Sequence, residues 1–213
     1  MVVRSWIVYG MIAGILADVA YTLAVAPLGL PLQAAILCGM AFGPLLSLAF
    51  VGLYRFVGLH KKTVAIQAAT IFGVIAGTIV NMMIVVQSAI RLTIPGESRA
   101  GLGLAWEGLN MVQLGLDVSW DIYFSAATIF LGIAMLAHPR FGKIWGGLTL
   151  VIGAALLLLN LLTFPIPPAS AGLIDIGPIS GILYLVISIR VLTSLKWVDQ
   201  IMAAKSDSGQ IAA

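Results

Sequence analysis

Asp18, Asp117 and Asp121 are carboxylates set inside long apolar stretches, where such side chains are rare and costly. An ionised Asp near the centre of a bilayer costs roughly 2.5–3.5 kcal/mol on insertion scales, so each should face water, a partner or a ligand. Asp117 and Asp121 lie one helical turn apart and would repel each other if both ionised. A shared proton or a bound cation would relieve that repulsion. Asn81, Arg91 and Asn110 complete a candidate ligand- or ion-binding set. In this reading Asp117 and Asp121 take a cation, a proton or a cationic group, Asp18 completes the charge, and Arg91 sets the local electrostatics beside Asp117 or Glu107. Tyr21, Gln87, Glu107 and Gln113, with Trp120, Asn160 and Tyr184, are weaker candidates for lining the same pocket.

Spacings of three, seven and four put Glu107, Asn110, Asp117 and Asp121 on one face of a helix, with Trp106, Gln113, Trp120 and Phe124 as the neighbouring stripe. Asp18, Asn81, Asn160 and Asp175 come from other stretches yet fall in the same half of the membrane. The opposite half has almost nothing polar between its boundary charges. This asymmetry predicts a polar funnel opening outward and closed below by an apolar plug. The same residues can instead simply tie helices together, with hydrogen bonds contributing about 0.6 kcal/mol on average.

Several chemistries lack their residues. His60 and His138 lie in predicted loops, so no helix offers a haem-ligating histidine, and no lysine lies deep enough for a Schiff base. There is no His-Glu-x-x-His, no Cys-x-x-Cys, no phosphate-cradling loop and no Gly-x-Ser-x-Gly. No catalytic residue, metal site or cofactor is expected, and His138-Pro139-Arg140 reads as a solvated turn. The single Cys38 excludes an internal disulfide and reads as a packing residue.

The elements that must position these residues are transmembrane helices. The 213-residue chain is 61% hydrophobic and 9% charged, with mean hydropathy +1.11. Soluble domains carry about 25% charged residues. A spanning helix needs about 20 mostly apolar residues. Six candidates result: 6–26, 32–57, 64–92, 109–137, 144–164 and 174–195. Prolines at 27, 31, 95, 139, 165, 167 and 168 fall between them, and Pro44 should kink the second. The fold class is therefore all-α and polytopic, a single transmembrane domain over 1–195 with a mobile tail over 196–213. The first segment imitates a secretory signal ending at Ala24-Val25-Ala26, but Pro27 should block cleavage and Asp18 interrupts the apolar run, so it is read as a retained helix.

Charge sets the orientation. Of the eleven lysines and arginines, nine fall on the side that carries both termini and the loops near 60 and 140, against Arg91 and Arg99 on the other. The positive-inside rule makes that side cytoplasmic. Trp6 and Trp197 read as interfacial anchors there. The net charge of +3 suggests no nucleic acid, since the basic residues form no run or stripe. Gly-x-x-x-Gly spacings at Gly10/Gly14, Gly39/Gly43, Gly73/Gly77, Gly142/Gly146 and Gly177/Gly181 allow close helix crossings, and a homo-oligomer through such faces is one expected use.

From the polar third-to-fourth helix region through Leu131–Ala137, the turn His138-Pro139-Arg140-Phe141-Gly142-Lys143, Ile144 and Gly146-Gly147, the chain resembles a broad family of uncharacterised small multi-pass bacterial membrane proteins, a domain of unknown function. The resemblance covers helices three to six, roughly half the chain, on motifs mostly generic to membrane proteins. It implies a multi-pass protein of the bacterial cell membrane and supplies no substrate or catalytic residue. The function read from the residues is a lipid-embedded protein that binds or transports a small molecule, cation or proton. The alternatives are a non-catalytic assembly subunit and, further off, a membrane enzyme acting on a lipid head group.

Overall fold

The computed structural model describes residues 2–26, 28–93 and 99–207; Pro27, Pro95 and the last six residues, where two helix stops and part of the tail were expected, lie outside them. Every extended element among the described residues is helical. Helices α1 (Val2–Val25), α2 (Leu32–His60) and α3 (Val64–Thr93) are followed by a single turn, α4 (Arg99–Leu102), and then α5 (Leu104–Met135) and α6 (Gly142–Thr163). A 3-10 turn at Ala169–Ala171 precedes α7 (Gly177–Leu192) and α8 (Leu195–Asp207). The apolar segments expected at 6–26, 32–57, 64–92, 109–137 and 144–164 each appear as one helix of spanning length. The sixth is different. It is an α7–α8 pair bent by 55°, which brings the number of spans from five to six only if the pair counts as one.

The helices form a ring. Each long helix packs along its chain neighbour from α1 to α2, α3, α5 and α6, and α7 closes the circle against α1 while touching α6 only lightly. Close crossings need small residues because two backbones then approach without side chains between them. A Cβ on Gly10 would lie 2.5 Å from the Gly52 Cα, and one on Gly146 would lie 2.7 Å from the Leu136 nitrogen. Gly43 likewise meets the Gly77 carbonyl. Much of the Gly-x-x-x-Gly surface is thus used inside the chain, not left free for another copy.

The interior is apolar, with Ile7, Met11, Phe50, Leu53, Phe56 and Leu131 almost wholly buried. The outside is apolar as well: Leu37, Ile71, Val151, Leu162 and Ile182 are each at least 60% exposed, spread over α2, α3, α6 and α7. Soluble chains rarely show contiguous apolar surface of this kind, and here it is the surface that meets lipid. Several hydroxyls within the helices bond back along their own turn, as Thr70 does to the Ile66 carbonyl (2.8 Å) and Thr128 to that of Phe124 (2.7 Å), which satisfies them within hydrocarbon.

Two expectations are corrected at the end of the bundle that carries Arg4 and α8. The segment from Lys196 does not trail away as a mobile tail: residues 195–207 are helical. Val198 is fully buried, Trp197 packs on Phe56 with ring centroids 5.3 Å apart, and Asp199 pairs with Arg4 at 2.9 Å. Apolar anchoring, invisible in the polar composition of this stretch, holds the helix down, and Trp197 faces inward more than an interfacial anchor would. Nor is His138 in a solvated turn. It is 1% exposed, boxed by Phe56, Phe141 and Trp197, with His60 edge-on at 5.6 Å. Its Nδ1 accepts the Arg140 backbone N–H at 3.2 Å, which puts the proton of the neutral ring on Nε2. The Arg140 and Arg190 side chains then tie this turn to α7: Arg190 donates to the Arg140 carbonyl (2.9 Å), and Arg140 donates to the Ser194 hydroxyl (3.1 Å).

Two outcomes follow from this packing. Gly146→Ala should destabilise the detergent-solubilised protein by about 1–3 kcal/mol, because its new methyl meets backbone. Gly147→Ala, with open space around it, should change little; thermal unfolding of both variants checks this. Burial, with help from the neighbouring His60, pushes the His138 imidazole down from 6.5 to about 4. The unfolded chain therefore takes up this proton first. The stability from neutral His138 is complete above pH 6.5 and is lost as pH falls through 4. A thermal-midpoint scan over that window should show a decline that His138→Gln flattens; an identical decline in the variant would contradict it.

Candidate functional site

Three of the intramembrane carboxylates line one cavity of about 470 Å³ between α1, α5 and α7. From α1 come Asp18, Tyr21, Thr22 and Val25, the one-face pattern of a helix over two turns. From α5 come Asp117, Trp120, Asp121 and Phe124, again one face. Phe42 and Leu46 of α2, the α6–α7 connection through Pro167, Pro168 and Asp175, and the first turns of α7 form the remaining wall.

The cavity exists because α7 is short and loosely held. Its 16 residues span ~24 Å, less than the ~30 Å hydrocarbon core. The preceding residues, rich in proline, cannot extend the helix, and they fold over the opening instead. Asp175 starts α7 by accepting the Gly177 N–H on Oδ1 at 2.7 Å, an Asx turn that turns its carboxylate toward the cavity. At Gly181 a side chain would touch Asp18: a Cβ there would lie 3.5 Å from Asp18 Oδ1.

Among the described residues no lysine or arginine lines this space, so its four carboxylates face no cation from them. Asp117, Asp121 and Asp175 are close enough to interact with one another electrostatically. Asp121 is only 7% exposed, yet its Oδ1 has no hydrogen-bond partner among the described residues, and neither has Asp18 Oδ2. The Trp120 indole N–H, 9% exposed, is equally unpaired. Unpaired buried polar atoms are uncommon, and three converge on one cavity here. Aromatic rings form the opposite lining: Tyr21 stands 4.9 Å from Phe42 and 6.5 Å from Trp120, centroid to centroid. Below them Phe50, Phe124 and Tyr184 interlock at 5.0–6.3 Å and close the floor, with the Tyr184 and Thr128 hydroxyls bonded at 3.0 Å. Because Thr128 already donates to the Phe124 carbonyl, Tyr184 is the donor between the two hydroxyls. Among the described residues no three His, Cys, Asp or Glu side chains converge as metal ligands. The carboxylates surround a space larger than a bare ion.

The structure brings together Asp18, Asp117 and Asp121, with Tyr21, Trp120 and Tyr184, and separates the rest of the predicted set. Arg91 is exposed on α3 and lies outside the cavity, so it does not set the electrostatics of the carboxylates. Asn81 packs at the α2–α3 crossing, where its Cβ lies 2.9 Å from the position of a Cβ on Gly43, and Gln87 follows it on α3. Both fall outside the lining for one reason: α3 borders α2 and α5, whereas the cavity opens on the α1–α7 side. Glu107, Asn110 and Gln113 occupy the first turns of α5, where Asn110 and Gln113 bond to each other at 3.1 Å, and they are not among the lining residues. Asn160, fully buried on α6, lies outside the lining but its side-chain amide reaches the Asp121 carboxylate and also donates to the Leu156 carbonyl at 3.0 Å. Asp175 and Phe42 were missing from the predicted set. The Asp175-Ile176-Gly177-Pro178 turn signal ahead of an apolar helix marks a carboxylate fixed at a helix start, whereas nothing in the sequence distinguishes Phe42 from other apolar residues.

No protein-family model, curated protein or solved structure matches this chain.

Proposed function

We propose that this multi-pass membrane protein binds a small organic cation in the acidic cavity between α1, α5 and α7, as a carrier or receptor for it. The observation that supports the reading best is the charge imbalance of the site: among the described residues four carboxylates line it and no basic side chain does. An isolated acidic group in a membrane is stabilised by a counter-charge, and none of the described residues supplies one here. The aromatic wall suits the same ligand, because ring faces attract cations and apolar bodies alike. A volume of about 470 Å³ lies in the range of roughly 300–1,000 Å³ typical of small-molecule sites.

The distribution of basic residues orients the protein in this proposal. With the Arg4, Arg140 and Arg190 end in the cytoplasm, the cavity opens to the outside of a bacterial cell membrane, the setting that the resemblance over helices three to six implies. Asp117 and Asp121 then hold the ligand or exchange protons with it, and Asp18 supplies charge from α1. The aromatic floor of Phe50, Phe124 and Tyr184 separates the cavity from the opposite side, so passage through the protein would require these rings to move apart.

Benzylammonium serves as a probe. It should raise the thermal midpoint of the purified protein, whereas benzoate should not. Asp117→Asn and Asp121→Asn should each reduce the shift by at least about half while the protein stays monodisperse. Equal shifts in wild type and both variants would remove the site.

A further inference from the structure

The cavity has a second kind of boundary, and it faces lipid. Ile182 lines it and is nevertheless 63% exposed. Ile182 adjoins Gly181, the residue that lies over Asp18 Oδ1, so this exposed apolar side chain sits at the depth of a carboxylate and not at the mouth. Two helices frame the place, α1 and α7, and α7 is the shortest and most loosely packed of the long helices in the ring. On the outside of a spanning bundle at that depth the surroundings are acyl chains. A gap here would be an opening between the cavity and the hydrocarbon.

The two ends of this space differ in chemistry. Its deep end holds Asp121 Oδ1 and Asp18 Oδ2 as unpaired acceptors and the Trp120 N–H as an unpaired donor. Its lateral end, at Ile182 and Leu185, is entirely aliphatic. Unpaired carboxylate oxygens call for N–H donors, which a primary ammonium has and a quaternary ammonium lacks. An oxygen beside that ammonium would take the indole N–H. An aliphatic exit toward lipid calls for an alkyl chain.

We propose that the ligand is an amphiphile dissolved in the membrane, with a primary-ammonium head that reaches Asp18 and Asp121 and an alkyl chain that leaves sideways between α1 and α7. This rests on the cationic-ligand reading above and adds the substrate class and the route. A purely water-borne amine would use the same carboxylates but make no use of the lateral opening.

Binding of octylammonium and propylammonium to the protein in lipid nanodiscs, measured calorimetrically with empty-nanodisc heats subtracted, tests the proposal. Octylammonium should bind at least about tenfold more tightly, since five further methylenes leave water. Asp121→Asn should weaken both amines by about tenfold. Ile182→Trp, which fills the opening, should weaken octylammonium by about tenfold and leave propylammonium unchanged; Leu185→Trp gives the same readout if the first variant fails to fold. Equal affinity for the two amines, or tryptophan variants without effect on octylammonium, would overturn the lateral route while the Asp121→Asn loss preserved the cationic site. Binding of both amines indifferent to Asp121→Asn would overturn both.

Discussion

A carboxylate in hydrocarbon without a counter-charge is the constraint around which this molecule is arranged. Elsewhere in the spanning region several hydroxyls are dealt with locally, Thr128 by its own helical turn and the Tyr184 hydroxyl by Thr128. The carboxylates Asp18, Asp117 and Asp121 are not met by a basic side chain among the residues that line their cavity. They are kept from lipid by sharing one hollow, and their helices must present those faces to the same side for the hollow to form. The cation binding proposed above follows from that arrangement.

The ring of helices explains why the hollow is where it is. Glycine crossings draw α1 to α2, α2 to α3 and α5 to α6 so closely that side chains cannot separate them. That leaves the closure by α7 as the loose part of the circle. A helix too short to cross the hydrocarbon, preceded by a proline-rich connection, cannot fill the space that a full-length helix would have filled. At the opposite end the contacts are dense. The His138 box, the Arg140–Arg190 linkage and the Arg4–Asp199 pair fix α7 and α8 to the rest, so any movement of α7 would pivot at that end.

Most of the architecture was legible in the sequence because bilayer thickness translates directly into runs of apolar residues. The run lengths located five helices to within a few residues, and the prolines marked their ends. α5 was an exception, beginning at Leu104 rather than 109, because polar first turns escape a hydropathy criterion. The one-turn spacing of Asp117 and Asp121 likewise predicted a shared face. Which helices are neighbours was not legible, and this is why Arg91, Asn81 and Gln87 were assigned to a cavity on whose far side they lie. Depth can be counted along a chain, whereas azimuth around a bundle depends on packing of residues distant in sequence. The structured tail and the buried His138 escaped for a related reason: both are held by aromatic contacts between segments far apart in the chain.

The most direct measurement of the central claim is access of water to the carboxylate positions. In a Cys38→Ser background, single cysteines at position 117, on the cavity face of α5, and at position 118, fully buried beside it, can be exposed to a membrane-impermeant cationic thiol reagent in intact vesicles. The cavity predicts rapid modification at 117 and none at 118, from one side of the membrane. Equal protection of both would mean that the carboxylates are sealed in dry packing, and the acidic hollow would not exist.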